Sequence, residues 1–412
     1  MTGMSPRMSR YCLGLLMLLF LISFSSRLYA QGDWPVTTLD LEGTYPTNYL
    51  TWTSAVPCGD RRLMVSDSPE TLNEADVTSG HVLWHDAVTR ATGDTVAHRV
   101  FFWHVNASNQ LARIGITIQN SSDVGILVQH CRGNFVYGDL NADLLGTQCK
   151  SLAEATLTGL APITDALTVP PHAVAVIYAN DAVEIGYLFG ATVEFDITGT
   201  APLNYEVRTV ACTTEQDLTA FTGPVIPSTV HNRGSWEHDG ILGEIAPCRF
   251  TGETFRVLVT QRCGADQLYR KDNSFDSENA VGNAGNYGVT YYLQLNFEND
   301  SDAPQILDAY INAQGTGFTD VPCDLSGQPY AGASSYCVEH GISVIRSTGP
   351  NAAGPFISTE LPAKTSQTHA LTLVHAGEAT LPIGLYFRWL RPRYYWGIEQ
   401  EGVVPWFRSR LF

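Results

Sequence analysis

Positive charge is scarce in this 412-residue chain, which has 24 lysines and arginines against 41 aspartates and glutamates. The formal net charge is −17 at pH 7. Such a field repels the phosphates of nucleic acids and the headgroups of anionic membranes, whose binding usually needs a basic stripe. Nucleic acid is therefore a poor candidate partner.

Helical periodicity and the common catalytic motifs are scarce as well. The sequence has no G-x-S-x-G elbow, no Walker loop, no G-x-G-x-x-G after a strand and no helical zincin motif. Glu237, His238 and Asp239 are adjacent and resemble an acid/base group, but neighbours on an extended segment point to opposite faces. A turn in a linker explains these three residues better, and no catalytic residue is predicted.

Long hydrophobic runs are confined to the N terminus, where residues 1–30 resemble a secretory signal peptide. Arg7 and Arg10 flank the start of an apolar run over residues 11–24, and small or polar residues lead to a cleavage site after Ala30. This run is shorter than the roughly 20 residues that span a bilayer, so cleavage is favoured over anchoring. We expect a secreted protein, periplasmic or extracellular and associated with the cell surface, and not a membrane-spanning one.

The cysteines agree with export, because oxidising compartments let disulfides form and persist. Eight of the nine cysteines follow the predicted signal peptide. Three close pairs each enclose a short polar loop, and the two remaining cysteines are left to bond each other. The predicted bridges are Cys131 to Cys149, Cys248 to Cys263, Cys323 to Cys337, and Cys58 to Cys212. A zinc site is the competing interpretation, but no C-x-x-C or close Cys/His grouping supports it.

The chain divides near its middle, where residues 223–246 are rich in glycine and proline and have little periodicity. Alternating residues at 114–119 lead into a polar turn at Asn120, and a similar strand at 289–297 leads into a turn at Asn299. These patterns predict an all-β protein of two tandem antiparallel β-sandwich domains, immunoglobulin-like, over residues 31–228 and 229–412. The sequons at Asn106, Asn120 and Asn299 fit exposed turns.

Four segments, at residues 64–70, 101–105, 114–122 and 282–302, carry short motifs. In these segments the chain resembles a domain-of-unknown-function family of secreted, mostly cyanobacterial proteins. Residues 282–302 (GNAGNYGVTYYLQLNFENDSD) are similar to its GNYG turn and the alternating strand that follows. Residues 64–70 (MVSDSPE), 101–105 (FFWHV) and 114–122 (IGITIQNSS) resemble its other motifs in order and spacing. The eight cysteines and the aromatic C terminus depart from the family. The resemblance implies an exported, β-rich, two-lobed protein without an established activity, and supplies no catalytic residues.

Four histidines are candidate transition-metal ligands. Alternation places His81 and His85 on one face of a predicted strand, and His98 and His104 on one face of the next. Pairing of the two strands would bring the imidazoles together. Apolar residues between them favour a core surface with hydrogen-bonded histidines instead.

Calcium is a possible cofactor at two loops, and no other cofactor is predicted. Asp139, Asn141 and Asp143 have the D-x-N-x-D spacing of a calcium loop, although Leu144 and Lys150 depart from the EF-hand pattern. The acidic loop at 272–278 is the second candidate. A solvated turn is the competing interpretation for each loop.

The C-terminal aromatics are candidate ligand-binding residues, because aromatic faces stack on sugar rings and arginine donates to hydroxyls. The residues proposed for a glycan platform are Trp389, Arg391, Tyr394, Tyr395 and Trp396. Final strands that seal a sandwich would use the same aromatics.

Together these features predict an acidic, exported, non-catalytic component of the cell envelope or extracellular space that binds or assembles with surface material. A cell-surface glycan or an envelope protein is the expected partner. An extracellular polysaccharide-active enzyme or a glycan-binding module is the alternative, with carboxylates gathered from separate loops.

Overall fold

The computed structural model describes residues 39–40, 48–139, 148–259, 264–312, 334–338, 342–346, 352–375 and 383–390. Strands dominate these residues, which confirms the all-β prediction. The two α-helices among these residues are short: α1 is Glu74–Ser79 and α2 is Cys149–Thr158. Helix α1 begins where the Asn73 side chain accepts hydrogen bonds from the backbone at Ala75 and Asp76, a capping box. Within the described residues, no helix is long and apolar enough to cross a membrane.

The strands up to the middle of the chain are β1 (Leu39–Asp40), β2 (Asn48–Tyr49), β3 (Trp52–Cys58), β4 (Arg61–Ser66), β5 (Thr71–Leu72), β6 (His81–Arg90), β7 (Val96–Asn106), β8 (Ala112–Asn120), β9 (Ile126–Asp139), β10 (Ala161–Pro162), β11 (Leu167–Val169), β12 (Val174–Val183), β13 (Tyr187–Gly199), β14 (Leu203–Thr213) and β15 (Arg233–Trp236). The later strands are β16 (Gly240–Ile245), β17 (Cys248–Arg249), β18 (Thr254–Val259), β19 (Thr290–Asn299), β20 (Gln305–Asn312), β21 (Ser334–Val338), β22 (Ile342–Arg346), β23 (Ala352–Leu361), β24 (Thr365–His375) and β25 (Ile383–Leu390).

The first lobe is a sandwich of two sheets. One sheet has the order β10-β9-β13-β7-β4-β15, with β11 on β9 and β5 on β7, and the other has the order β12-β8-β14-β6. Alternation on β8 turns Ile114, Ile116 and Ile118 inward, where they join Phe189 and Phe195 of β13 in a buried core. The hydrophobic pattern predicted these strands for that reason.

The second lobe repeats this arrangement. Its sheets have the orders β22-β21-β24-β19-β16-β3, with β17 on β19, and β1-β23-β20-β25-β18-β2. Strand β16 runs parallel to β19 as β4 runs parallel to β7, and β20 lies between β23 and β25 as β8 lies between β12 and β14. Other pairings are mostly antiparallel. The repeated topology is that of a duplicated unit, while an immunoglobulin-like plan and a tandem division stay predictions.

The topology changes which turns of the two halves correspond. Strand β19 ends at Asn299 and occupies the place of β7, which ends at Asn106, so Asn106 is the counterpart of Asn299. The sequence pattern alone pairs Asn299 with Asn120, and the topology corrects this prediction. The three sequon asparagines are also buried rather than exposed, with relative accessibilities of 0%, 0% and 1% for Asn106, Asn120 and Asn299. Their side-chain amides donate to backbone carbonyls of distant segments, which explains the burial.

The two lobes exchange strands. Strand β3 precedes β4 in the chain but pairs with β16, and β15 precedes β16 but pairs with β4. Residues 52–66 and 233–245 thus form one antiparallel ribbon. One half of the ribbon, β4 with β15, belongs to a sheet of the first lobe, and the other half, β3 with β16, belongs to a sheet of the second lobe. Sheet membership therefore departs from a division at residue 228 in two places, since β1–β3 lie in sheets of the second lobe and β15 in a sheet of the first.

The predicted disulfide between Cys58 and Cys212 is wrong. Both thiols are free, because Cys58 lies on β3 in a sheet of the second lobe while Cys212 lies on β14 in a sheet of the first, packed against Val82 and Leu218. Cys131 and Cys248 also carry free thiols and are not bridged in this structure. The remaining predicted bridge residues have side chains outside the described part of the chain; they are Cys149, Cys263, Cys323 and Cys337.

Candidate functional site at the ribbon crossing

The ribbon crossing brings charged side chains from both lobes together. Here the connection from β3 to β4 passes the connection from β15 to β16, and His238 Nδ1 lies 2.8 Å from the carbonyl oxygen of Gly59. Glu237 and Asp239 contact different partners: Glu237 pairs with Arg62, and Asp239 pairs with Arg99. The two carboxylates therefore belong to two separate ionic networks.

The first network centres on a buried pair between Arg62 of β4 and Asp86 of β6. The Arg62 Nε and Nη2 atoms donate to Asp86 Oδ2 and Oδ1 at 2.9 and 2.6 Å, a bidentate geometry. The third nitrogen, Nη1, donates to Glu237 Oε2 at 3.0 Å, and Arg90 Nη2 donates to Glu237 Oε1 at 3.0 Å. The guanidinium carbon of Arg62 also lies 3.9 Å from the centroid of the Phe275 ring. The pair thus joins both sheets of the first lobe to the crossing.

A buried histidine lies behind this pair. His98 Nδ1 is 3.6 Å from Asp86 Oδ2, and His98 Nε2 is 2.8 Å from the hydroxyl of Tyr205. Burial, reinforced by the positive charges of Arg62, Arg61 and Arg90, lowers the pKa of His98 well below its ordinary value. Burial raises the pKa of Asp86, against the opposing effect of its bond and charge contact with Arg62. His98 is therefore neutral at pH 7.

A cleft of about 240 Å³ opens above the first network. Polar groups dominate its lining: Asp60, Arg62, Arg90, Thr92, Asp94, Thr95, Val96, Ala97 and Glu237. The volume is below the roughly 300–1,000 Å³ of most small-molecule sites. The cleft therefore suits one hydroxylated ring, or a polar group of a larger partner, held by donors and acceptors of both signs.

The second network links the lobes through Arg99 of β7. Its Nη2 and Nε atoms donate to Glu194 Oε1 at 2.7 and 2.9 Å, and its Nη1 atom reaches Asp239 Oδ2 at 3.0 Å and the Thr290 hydroxyl at 3.0 Å. The network continues through three more side chains: Arg61, Arg132 and Asp196. Three guanidinium groups and three carboxylates balance their charges there, which fits a structural junction.

A cavity of about 330 Å³ lies beside the second network and is lined by His130, Cys131, Arg132, Pro162, Thr164 and Asp196. His130 Nδ1 lies 2.9 Å from Asp196 Oδ2. Burial, with a smaller contribution from Asp196, raises the pKa of the Cys131 thiol to about 11. The thiol is therefore protonated at neutral pH and is a poor nucleophile.

The four predicted histidine ligands do not converge. Strands β6 and β7 lie in different sheets instead of pairing, and His85 points to the face of β6 opposite Asp86, the residue that reaches His98. His85 lies between Glu206 and Asp276, at 2.6 and 2.9 Å. His104 is buried and lies 3.1 Å from the Ser66 hydroxyl and 2.8 Å from the Pro69 carbonyl. The alternative interpretation, a core surface with hydrogen-bonded histidines, matches His98 and His104. The predicted transition-metal site formed by the four histidines is wrong.

The candidate calcium loops have different outcomes. Asp139 is exposed at the end of β9, while Asn141 and Asp143 lie outside the described residues. In the acidic loop, the Asp276 carboxylate is held by His85 and by the side chain of Asn279 at 2.9 Å. That carboxylate already has its partners.

The aromatic platform does not include Trp389. This side chain is 5% exposed and packs edge-on against Phe250, with ring centroids 5.7 Å apart. Its position matches the alternative in which final strands seal a sandwich. The other predicted platform residues lie outside the described part of the chain: Arg391, Tyr394, Tyr395 and Trp396.

Sequence reasoning missed Arg62, Asp86 and Arg90 of the first network. A usable signal was present, because Arg61 and Arg62 open an otherwise apolar strand and Asp86 interrupts another. A charge within an apolar strand requires a buried partner. The partner itself could not be read from the sequence.

Comparison with known proteins gives little beyond this geometry. No family model and no curated protein matches the chain. Among solved structures, the CUB1-EGF-CUB2 domain of human MASP-1/3 is 8% identical, with 74% of this chain and 99% of that one covered and a TM-score of 0.16. Lac15 from a marine microbial metagenome is 11% identical, with 78% and 61% covered and a TM-score of 0.12. Similarities at this level carry no argument about fold or function.

Proposed function

We propose that this protein is an exported, non-catalytic component of the cell envelope or extracellular space that binds hydroxylated surface material, such as a cell-surface glycan, in the cleft at the ribbon crossing. One observation carries the proposal. Both carboxylate oxygens of Glu237 are held by arginines, Arg62 and Arg90, at the edge of a polar cleft. Such a surface offers fixed donors and acceptors to hydroxyl groups.

The same geometry argues against acid–base chemistry at Glu237. A glycosidase needs one carboxylic acid that protonates the leaving oxygen and a second carboxylate across the bond. Both oxygens of Glu237 already accept hydrogen bonds from Arg62 and Arg90, so neither is free to contact a glycosidic oxygen. Asp60 and Asp94 also line the cleft. Their presence keeps a polysaccharide-active enzyme as the second candidate.

A glycan array probed with the chain from residue 31 onward tests the binding proposal. Arg90→Ala and Glu237→Gln alter the cleft, and Arg113→Ala is the matched control because Arg113 forms a comparable pair with Asp181 at 2.9 Å outside the cleft. We expect retention of specific glycans by the wild type and the control, and at least tenfold weaker retention by both cleft variants. Equal retention by all four proteins, or no retention, would reject the cleft as the binding site, and release of new reducing ends would select the enzyme.

Export needs its own test. The proposal expects the native protein in the envelope or culture medium, with an N terminus that follows Ala30. Mass spectrometry of the N-terminal peptide from each cell fraction measures this. A full-length chain confined to the cytosol would contradict the proposed location.

A further inference from the structure

Two loops of the first lobe bring three candidate metal ligands together away from the cleft. Asp67 and Glu70 follow β4, and His231 precedes β15, the strand that pairs with β4. Each residue offers one ligand atom, and the three atoms lie within 4.8 Å of one another. Within the described part of the chain, no other group of three His, Cys, Asp or Glu side chains meets this criterion.

One oxygen of Asp67 lacks a partner although the side chain is buried. Asp67 is 6% exposed; its Oδ2 atom accepts from Asn232 Nδ2 at 3.3 Å, and its Oδ1 atom has no hydrogen-bond partner among the described residues. Burying a carboxylate oxygen without a donor is costly, so such groups usually pair with a cation or coordinate a metal. A bound cation would relieve this cost.

The other two ligands leave the site open to solvent. The side chains of Glu70 and His231 are 33% and 43% exposed, and His231 Nε2 lies 3.1 Å from Glu70 Oε2. An ion can therefore enter from the surface and reach the buried Asp67 oxygen. The imidazole and the carboxylate already face each other at a distance close to that between neighbouring ligands of one ion.

A buried arginine holds both loops in place. Arg233 Nη1 donates to the carbonyl oxygens of Ser68 and Ile226 at 3.2 and 2.8 Å, and Nη2 donates to that of Ser228 at 3.1 Å. The Asp67 amide donates to the carbonyl of Asn232 at 2.9 Å. These bonds fix the ligand-bearing backbone before any ion binds, which lowers the ordering cost of binding.

We propose that Asp67, Glu70 and His231 bind a divalent first-row transition-metal ion, of which Zn²⁺ is the probe. One imidazole and two carboxylates match such ions, whereas Ca²⁺ takes oxygen ligands alone. Bonds of about 2.0–2.2 Å place neighbouring ligands about 3–4 Å apart, so small movements of the ligand side chains on the fixed backbone complete the site. Three protein ligands leave a position for water or for an oxygen of a bound partner. This site is independent of the glycan cleft.

Zinc titration of the full mature chain by calorimetry, after its accessible thiols are blocked, tests the proposal. The variants are Asp67→Asn and His231→Asn; asparagine suits the second position because His231 has a left-handed φ of 67°. His172→Asn is the matched control, since His172 also has a left-handed φ, 56°, and lies 3.3 Å from one carboxylate, that of Asp123. We expect one ion per chain, at least tenfold weaker binding in the two site variants, and no change in the control.

Two results would overturn the proposal: absence of zinc binding by the wild type, or unchanged affinity in both site variants. If a variant fails to fold, Co²⁺ bound to the unblocked wild type decides the question. A spectrum of nitrogen and oxygen ligation supports the site, while thiolate charge-transfer bands assign the ion to cysteines and reject it. Zinc binding without glycan binding would leave this site standing and reject only the proposed function.

Discussion

Gly59 and Asp239 touch where the two lobes exchange strands, so closely that a Cβ atom on Gly59 would collide with Asp239 Oδ1. Gly59 has a φ of +90°, a conformation that other residues rarely adopt. The Asp239 carboxylate is meanwhile held by Arg99. The crossing therefore depends on a residue without a side chain at position 59.

Replacing this glycine should destabilise the protein. Gly59→Ala adds backbone strain and displaces Asp239 from Arg99, and we expect a loss of about 3 kcal/mol in the free energy of unfolding. Gly186→Ala is the matched control, because Gly186 also has a positive φ, +81°, but an added Cβ would meet no atom within 4 Å. The control should lose only about 1 kcal/mol. Urea denaturation measures both, and equal losses would show that the contact with Asp239 does not matter.

The Arg62–Asp86 pair should be costly to break from either side. Asp86→Asn or Arg62→Met leaves one buried group without its partner, and we expect each to cost about 3–5 kcal/mol. Arg249→Met provides the control: Arg249 pairs with Glu298 at 2.8 Å on the surface, where such pairs are worth about 0–1 kcal/mol. Denaturation of the double variant Arg62→Met, Asp86→Leu should recover most of the loss. Additive losses in that variant would contradict the coupling.

Acid should destabilise the protein through its buried histidines. Burial, against an opposing hydrogen bond to the Pro69 carbonyl, lowers the pKa of His104 from 6.5 to about 4, so between these values only the unfolded chain binds this proton. The contribution of neutral His104 to the free energy of unfolding is therefore fully present above pH 6.5. It falls by about 3 kcal/mol as the pH drops to 4. Denaturation midpoints at pH 7.5, 5.5 and 4.5 measure the slope. His104→Asn should flatten it and the exposed control His172→Asn should not; identical slopes would exclude His104.

His85 should act in the opposite direction. Burial tends to lower its pKa, but hydrogen bonds and charge contacts with Glu206 and Asp276 outweigh burial and raise it. The ion pairs are thus fully present below about pH 6.5 and are lost as the pH rises through the folded-state pKa. We expect His85→Gln to remove stability at pH 6 and to remove less at pH 9. His81→Gln, on the same strand, serves as the control, and a pH-independent effect of His85→Gln would contradict the charged state.

The buried thiols should react only after unfolding. Burial raises the pKa of the Cys212 thiol to about 11, with Arg113 opposing it in part, and raises the pKa of the Cys248 thiol to about 12. Little thiolate therefore exists at pH 8. We expect an alkylating reagent to leave Cys131, Cys212 and Cys248 unmodified in the native protein and to modify them in guanidinium without reductant. Peptide mass spectrometry reads both states. Resistance in the unfolded, unreduced chain would show that disulfides form after all.

Local pattern determined much of the secondary structure. Alternation at residues 114–118 predicts β8 because a strand with one buried face must place its apolar residues two apart. The strand that ends at Asn299 was predicted on the same basis. Such inferences succeed because they depend only on neighbours in the chain.

Partners distant in the chain could not be inferred in this way. Nothing local to residues 52–58 indicates that β3 leaves β4 and pairs with β16, about 180 residues later in sequence. The separation of His85 from His98 follows from the same long-range choice of sheets, as does the meeting of Asp67 with His231.

Composition and short-range periodicity thus established an acidic, β-rich chain, while tertiary structure alone decided which charged residues face one another. The physical reason is that strand propensity and side-chain alternation are properties of adjacent residues, whereas a buried charge is stable only beside a partner that folding brings near. For Arg62 that partner is Asp86, and for Asp67 we infer that it is a metal ion.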